Sequence, residues 1–167
     1  MMPSRREIFF LLIICLVILA DQAAKAVIQL TVEPRTVIPI IPNLFSLTQV
    51  HNTGAAFGIL QGTYGYIIWL SLIVLGIILF CYDSLCSSRL GLIGAGLISG
   101  GIIGNLIDRV FLGYVIDFLE FPFWPAFNIA DSSLCIGSVM LAYALFTQKE
   151  VGTQGVAKQR KNRKNTL

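Results

Sequence analysis

Two aspartates stand in apolar surroundings, Asp117 within Val-Ile-Asp-Phe-Leu and Asp131 at the end of Phe-Asn-Ile-Ala-Asp. Two carboxylates held close together cannot both ionise cheaply, so one keeps its proton, and such a pair can act as acid and base on a water attacking an amide. Spacing alone does not establish a dyad, because unrelated acids at a membrane face are common. Four other ionisable residues accompany them: Asp21 with Lys25, and Asp108 with Arg109. Inside or at the edge of a membrane span each costs on the order of 3 kcal/mol to insert, which makes each a functional expectation. Asp21 and Lys25 are four apart, hence stacked on one helix face, where pairing is the expected role. Asp108 and Arg109, beside Asn105, read as a polar network that fixes the segment after them. Arg109 stays protonated and cannot be a base.

Rival chemistries have fewer parts. There is no H-E-x-x-H and only one histidine, His51, which leaves a zinc protease short of ligands, and His51 itself reads as a loop residue. No G-x-S-x-G is present. A Ser-Lys pair using Lys25 with Ser99 or Ser132 is compatible with composition but has no local motif. The four cysteines, Cys15, Cys81, Cys86 and Cys135, form no C-x-x-C and fall mostly in apolar runs, where a thiol behaves as a small hydrophobe. Neither a disulfide nor a metal is expected, and Ile14 before Cys15 is too large for a lipobox.

The elements that must position these groups are membrane spans. The chain is 56% hydrophobic and 13% charged, with a mean hydropathy of +0.79, far too apolar for an ordinary soluble domain. A spanning helix needs about 20 mostly apolar residues, and four such runs are expected, at 8–28, 66–82, 90–107 and 126–146. The first could pass for a signal peptide with an A-x-A at Ala24 to Ala26, but Lys25 interrupts that site and the run continues beyond it, so an uncleaved helix fits better. The third carries Gly96, Gly100 and Gly104 at small-xxx-small spacing, which favours close helix packing. The loop 29–65 holds Pro34, Pro39 and Pro42 and the alternating stretch Phe45-Ser46-Leu47-Thr48, where a small extramembrane sheet is expected. The fold class is thus an all-α four-transmembrane-helix bundle with a small β element in the first outer loop.

Lys and Arg mark the cytoplasmic side, so Arg5, Arg6, Arg89 and the basic tail after residue 157 are expected inside, with both termini. Asn52, Arg109, Asp117 and Asp131 then lie outside. The net charge of +3 is small, and a short basic tail beside a membrane helix reads as a lipid-facing anchor rather than a nucleic-acid arm. Residues 1–150 form one membrane domain and 151–167 a basic cytoplasmic tail, expected to be disordered.

Five motifs occur in order: Asp21-Gln22 with Lys25; Asn52-Thr53-Gly54-Ala55-Ala56-Phe57; Gly104-Asn105-Leu106-Ile107-Asp108-Arg109; Val115-Ile116-Asp117-Phe118; and Phe127-Asn128-Ile129-Ala130-Asp131-Ser132. Together, over about residues 8–146, they resemble the bacterial lipoprotein signal peptidase family, also called signal peptidase II. The resemblance implies a bacterial inner-membrane aspartic endopeptidase that removes the signal peptide from diacylglyceryl-modified prolipoproteins, cleaving before the lipid-modified cysteine. It matches the catalytic pair to Asp117 and Asp131. Asp21, Lys25, Asn52, Asn105, Asp108, Arg109 and Asn128 match supporting or substrate-contacting groups. No cofactor or metal is implied; the expected partners are lipid-modified prolipoproteins and membrane lipids, and a monomer is expected.

The sequence departs from the family pattern at Ala24, where Ser or Thr is frequent, at Gly58, where Ser is frequent, and in a short stretch between Asp117 and Asp131. Pro122, Trp124 and Pro125 should stiffen that stretch at the membrane interface, where Trp is favoured. The alternative from another class is a small proton-coupled transporter, since membrane carboxylates also relay protons. Its charges belong near the midplane, and no inverted repeat is visible between the two halves.

Overall fold

The computed structural model describes residues 3–54 and 64–164, with side chains as far as residue 148. The helices are α1 (Arg5–Thr31), α2 (Tyr64–Phe80), α3 (Tyr82–Leu85), α4 (Arg89–Phe111) and α5 (Ile129–Lys164), and the strands are β1 (Val37–Ile41), β2 (Phe45–Asn52), β3 (Val115–Phe121) and β4 (Trp124–Phe127). By length and composition three helical stretches can cross a membrane, Arg5–Thr31, Arg89–Phe111 and Ile129–Gln148. A fourth apolar helix, Gly65–Phe80, is shorter. The 17 residues of α2 rise about 25 Å, somewhat less than a hydrocarbon core of roughly 30 Å. Of the residues singled out in the sequence, Ala55 to Phe57 and Gly58 lie outside the described part, as do the side chains of the basic tail.

α1 begins at a capping box in which the Ser4 N–H donates to the Glu7 carboxylate at 2.6 Å and the Glu7 N–H to Ser4 Oγ at 3.3 Å. Its buried residues, Phe10, Val17, Asp21, Lys25 and Ile28, recur every three, four or seven positions and so share one face. The opposite face exposes Leu16, Leu19 and Leu30. Apolar groups outside and ionisable groups inside are what a helix with lipid on one side and a polar partner on the other requires.

That partner is α4, which lies between α1 and α5. A Cβ added to Gly94 would stand 2.8 Å from the Gly137 carbonyl oxygen of α5, and one added to Gly101 2.5 Å from the Ala130 carbonyl oxygen. Gly94 and Gly101 therefore let the α4 and α5 backbones meet, whereas Gly96, Gly100 and Gly104, the glycines at small-xxx-small spacing, face α1, where an added Cβ would meet the side chains of Ile13, Val17 and Asp21. α4 ends where Gly113 takes φ +80°, a left-handed position that suits glycine, and its N–H donates to the Arg109 carbonyl at 3.2 Å. Phe10, Ile78, Leu92, Ala95, Ile98 and Ile102 form the core of the bundle.

The four strands form one antiparallel sheet in the order β1-β2-β3-β4. The expected β element in the first outer segment is present as β1 and β2, but half of the sheet comes from elsewhere. β3 and β4, between α4 and α5, make a hairpin in which Phe121 pairs with Trp124. Asp117, expected on a loop, is on β3, and His51, also expected on a loop, is on β2. The pairing of β2 with β3 sets Val50 opposite Asp117 and Asn52 opposite Val115. Ile28 and Val32 pack with Ile116 and Phe118, fastening the sheet to the end of α1.

Candidate active site

Asn128 sits between β4 and α5 and is fully buried. Its Oδ1 accepts the Asp131 N–H at 2.8 Å, while its own N–H donates to Asp131 Oδ2 at 3.3 Å, so Asn128 and Asp131 close a reciprocal cap on the first turn of α5. The Asn128 side-chain amide meanwhile donates to Asp117 Oδ1 at 2.7 Å, Asn105 Oδ1 at 3.0 Å and the Ile116 carbonyl at 3.3 Å. One residue thus ties the strand that carries Asp117 to the helix that carries Asp131.

The remaining oxygens of the two acids are also engaged. Asp117 Oδ2 accepts from Asn52 Nδ2 at 2.9 Å, and Asp131 Oδ1 accepts from Asn105 Nδ2 at 2.8 Å. Asn52 is itself held by the Gly54 N–H, which donates to its Oδ1 at 3.0 Å. Each carboxylate oxygen receives one donor and keeps a lone pair for a further partner. Asp117 is nearly inaccessible, at 2% exposure. Burial above all, then the charge of Asp131, pushes its pKa up from 3.8 to about 7, against the hydrogen bonds from Asn52 and Asn128 and the more distant charge of Lys25.

Behind this pair lies a charged cluster. Lys25 Nζ is 2.7 Å from Asp21 Oδ2, 2.7 Å from Asp108 Oδ2 and 3.0 Å from Asn105 Oδ1. Asp21 Oδ1 accepts the Ala130 N–H at 2.9 Å, placing a carboxylate at the positive end of α5. Asp108 Oδ2 accepts the Ile116 N–H at 3.2 Å and so reaches the strand of Asp117. Asn105 faces both ways, accepting from Lys25 and Asn128 and donating to Asp131. The ammonium of Lys25 is spent on two carboxylates and an amide oxygen, and Ser132 Oγ donates to the Asn128 carbonyl at 2.9 Å, which leaves a Lys25–Ser132 pair without geometric support.

Gln22 has a role that sequence reasoning left unassigned. Its Nε2 donates to Asp108 Oδ1 at 2.9 Å, the Gly104 carbonyl at 3.2 Å and Asp21 Oδ2 at 3.3 Å, bracing α1 against α4. The available signal was an amide inside an apolar span next to an acid. His51 lies against the Tyr114 ring, centroids 4.1 Å apart, with its Nε2 3.1 Å from Gln49 Nε2.

Asp117 and Asp131 border one cavity of about 970 Å³, together with Asn52, Asn105 and Arg109. Arg109 donates to the Asn105 and Gly54 carbonyls at 3.4 Å each, contacts long enough to leave its guanidinium free to engage a further acceptor. Phe121 and Phe127 make an apolar wall, and Cys135, Ser138 and Val139 extend the cavity along α5. The arrangement offers a protonatable acid, a second carboxylate and a cation beside a space large enough for an extended peptide segment. Among the described residues no group of three or more His, Cys, Asp or Glu side chains is placed to hold a metal ion.

Residues 13–147 match the family described as signal peptidase (SPase) II. The lipoprotein signal peptidase of Halothermothrix orenii is 43% identical over 141 residues, covering 84% of this chain and 97% of that protein. That of Pelotomaculum thermopropionicum is 38% identical over 143 residues, covering 85% and 94%. Two solved structures, each described as a bacterial membrane enzyme determined by the in meso method, superpose with TM-scores of 0.78 and 0.74. They are 32% and 33% identical and cover 84% and 82% of this chain and 89% and 92% of their own.

Proposed function

Given that the chain belongs to the signal peptidase II family and is therefore a peptide hydrolase of the bacterial inner membrane, we propose that it removes the signal peptide from diacylglyceryl-modified prolipoproteins with Asp117 and Asp131 as its catalytic pair. The observation that carries this reading is the convergence of both acids on Asn128 at the wall of one cavity. Family membership sets aside the transporter alternative.

Asp117, whose pKa is raised to about 7, serves as the acid: it carries the proton below neutral pH and in about half of the molecules at pH 7. Asp131, in the first turn of α5 at the positive end of the helix, starts as the carboxylate. Asp131 takes a proton from water as the oxygen attacks the scissile carbonyl, and Asp117 donates a hydrogen bond and then its proton to the carbonyl oxygen. On collapse of the tetrahedral species the proton on Asp131 passes to the leaving amine, the C–N bond breaks, and Asp117 takes back a hydroxyl proton as the carbonyl re-forms, so both acids return to their starting states. Asn52, Asn105 and Asn128 fix the carboxylates. Asp21, Lys25 and Asp108 hold α1, α4 and the sheet in register, and Arg109 supplies a cation for a substrate carbonyl.

The substrate arrives from the bilayer with its signal helix against the bundle and its acyl chains in lipid. α2 is the second of four spans, residues 1–150 form the peptidase domain, and the tail 151–167 and both termini lie in the cytoplasm, with the site near the outer face. The test is release of signal peptide from a diacylglyceryl-modified precursor in detergent beside the unmodified precursor. Asp117→Asn and Asp131→Asn are each expected to bind the modified precursor and to lose turnover by about 10²–10⁴-fold or more. Substantial cleavage by either variant overturns the dyad; equal cleavage of both precursors overturns the specificity.

A further inference from the structure

Three asparagines serve the two acids, and the polarity of each side-chain amide is set from behind by a group that can only donate. A reversed amide has almost the same shape, so its partners alone decide which end points where. The Gly54 N–H donates to Asn52 Oδ1 at 3.0 Å, and the Asp131 N–H donates to Asn128 Oδ1 at 2.8 Å. Asn105 Oδ1 accepts from the Lys25 ammonium at 3.0 Å. With their oxygens so engaged, all three amides turn an N–H toward a carboxylate: Asn52 to Asp117 Oδ2 at 2.9 Å, Asn128 to Asp117 Oδ1 at 2.7 Å, and Asn105 to Asp131 Oδ1 at 2.8 Å.

Two of these locks are backbone N–H groups and depend on no side chain. The third is Lys25, on α1, 80 positions from Asn105 in the chain. An ammonium has three N–H groups. Asp21 Oδ2 and Asp108 Oδ2, each 2.7 Å away, engage two of them and aim the third at Asn105. Asn128 Nδ2 also reaches Asn105 Oδ1, at 3.0 Å, but its two N–H groups are divided among Asn105, Asp117 and the Ile116 carbonyl. A charged donor with one proton reserved for that oxygen holds it more firmly than a shared neutral one.

If the Asn105 amide turned over, its Oδ1 would stand where Nδ2 stands, 2.8 Å from Asp131 Oδ1. Two acceptors meet at that distance only when one of them carries a proton, so a reversed amide is matched by a protonated Asp131. A protonated Asp131 cannot take a proton from water. We propose that Lys25 is a positioning residue, which fixes the polarity of the Asn105 amide and thereby reserves Asp131 for the role of base. This rests on the functional reading of Asp131 as the base, and it adds to the part Lys25 plays in joining the helices.

The test is a double-mutant cycle on cleavage of the diacylglyceryl-modified precursor by the full chain in detergent, with rates referred to the folded, precursor-binding fraction. Lys25→Met is expected to lower kcat about 10–10²-fold and to leave KM within about twofold, because the walls that bind substrate are unchanged. In an Asn105→Ala background, where no amide is left to orient, the same change should lower kcat by no more than about twofold. Asn105→Asp keeps an oxygen for Lys25 but offers Asp131 a second oxygen in place of the N–H. It is expected to fold, to bind precursor and to lose turnover by about 10²-fold or more. Equal losses from Lys25→Met in both backgrounds overturn the proposal, since a purely structural lysine acts whatever stands at position 105. So does an unchanged kcat in Lys25→Met, a loss confined to KM, or an Asn105→Asp enzyme close to the unmutated rate. Should Lys25→Met fail to fold, the Asn105→Asp rate decides. Asp131→Asn separates the two readings: turnover retained there removes the base assignment itself, whereas turnover lost there, with equal Lys25→Met losses in both backgrounds, removes only the role given to Lys25.

Discussion

Replacing Lys25 with Met tests whether the charged cluster behind the acids is a support or a participant. The ammonium is 2% exposed and is shared between Asp21 and Asp108, themselves 0% and 2% exposed. Each of its two charge-assisted contacts, at 2.7 Å, is worth about 1.5–3 kcal/mol. Removing one partner of a buried ion pair ordinarily costs about 3–5 kcal/mol, because the other charge stays behind unpaired. The two carboxylates do not lose everything. Asp21 keeps the Ala130 N–H, Asp108 keeps the Ile116 N–H, and both keep Gln22. The loss should therefore fall near 3 kcal/mol, the low end of that range. The assay is reversible unfolding in mixed micelles, followed by fluorescence. In Lys25→Met with Asp108→Asn one uncompensated charge is gone, so the double variant should recover about 1–2 kcal/mol relative to the sum of the single changes. Lys25 touches Asp131 only through Asn105, so the folded fraction should keep measurable turnover, reduced by up to about 10²-fold through misplacement. A Lys25→Met protein as stable as the unmutated one would refute the energetic argument. One that is folded, binds substrate and has no turnover at all would return the Ser-Lys mechanism to contention.

Four further outcomes are expected. Cleavage should decline as pH rises through about 7, where Asp117 loses the proton it must donate, and kcat/KM against pH should show that limb. Stability carries the same sign: the pKa of Asp117 is higher folded than unfolded, so its contribution is a penalty that is absent below about 3.8, grows as pH rises, and is complete above about 7; Asp117→Asn should flatten this part of an unfolding-against-pH curve. Gly101→Ala should destabilise the fold by about 1–3 kcal/mol and lower activity, because its Cβ would stand 2.5 Å from the Ala130 carbonyl oxygen and push α4 away from the turn that holds Asp131; unchanged melting would mean that the helices can separate there at no cost. Reporter fusions at Val151 and in the segment before Arg89 should read cytoplasmic, and fusions in the β1–β2 segment external; an external reading at Val151 would break the even-span topology.

How much of this was legible beforehand is clearest from α1 and β3. In α1 the apolar run, its length, the four-residue spacing of Asp21 and Lys25 and the cost of placing them in lipid are local properties of the chain, and they predict a spanning helix with a polar inward face. The glycines of α4 predict close packing for the same reason: a missing Cβ is a property of the residue, whatever lies opposite. The order of the motifs indicates the family. β3 is different. Its residues read as a loop because Val-Ile-Asp-Phe-Leu lacks a clean alternation of apolar and polar positions. That alternation is missing because Val115 to Phe118 are buried on both faces, against α1 on one side and around the polar cluster on the other. The pairing of β2 with β3 joins residues about 65 positions apart in the chain, and no local periodicity encodes it. The meeting of Asp117 with Asp131 is likewise tertiary. It requires the packing of Ile28 and Val32 against Ile116 and Phe118 to set the height of the strand, and the three-way amide of Asn128 to join that strand to α5. The sequence by itself determined which segments are apolar and which of their residues carry charge, because hydrophobicity and helical spacing act within one segment. Only the fold decided that two acids from different elements face one cavity, because that depends on contacts between segments whose free energy exists only once the chain has closed upon itself.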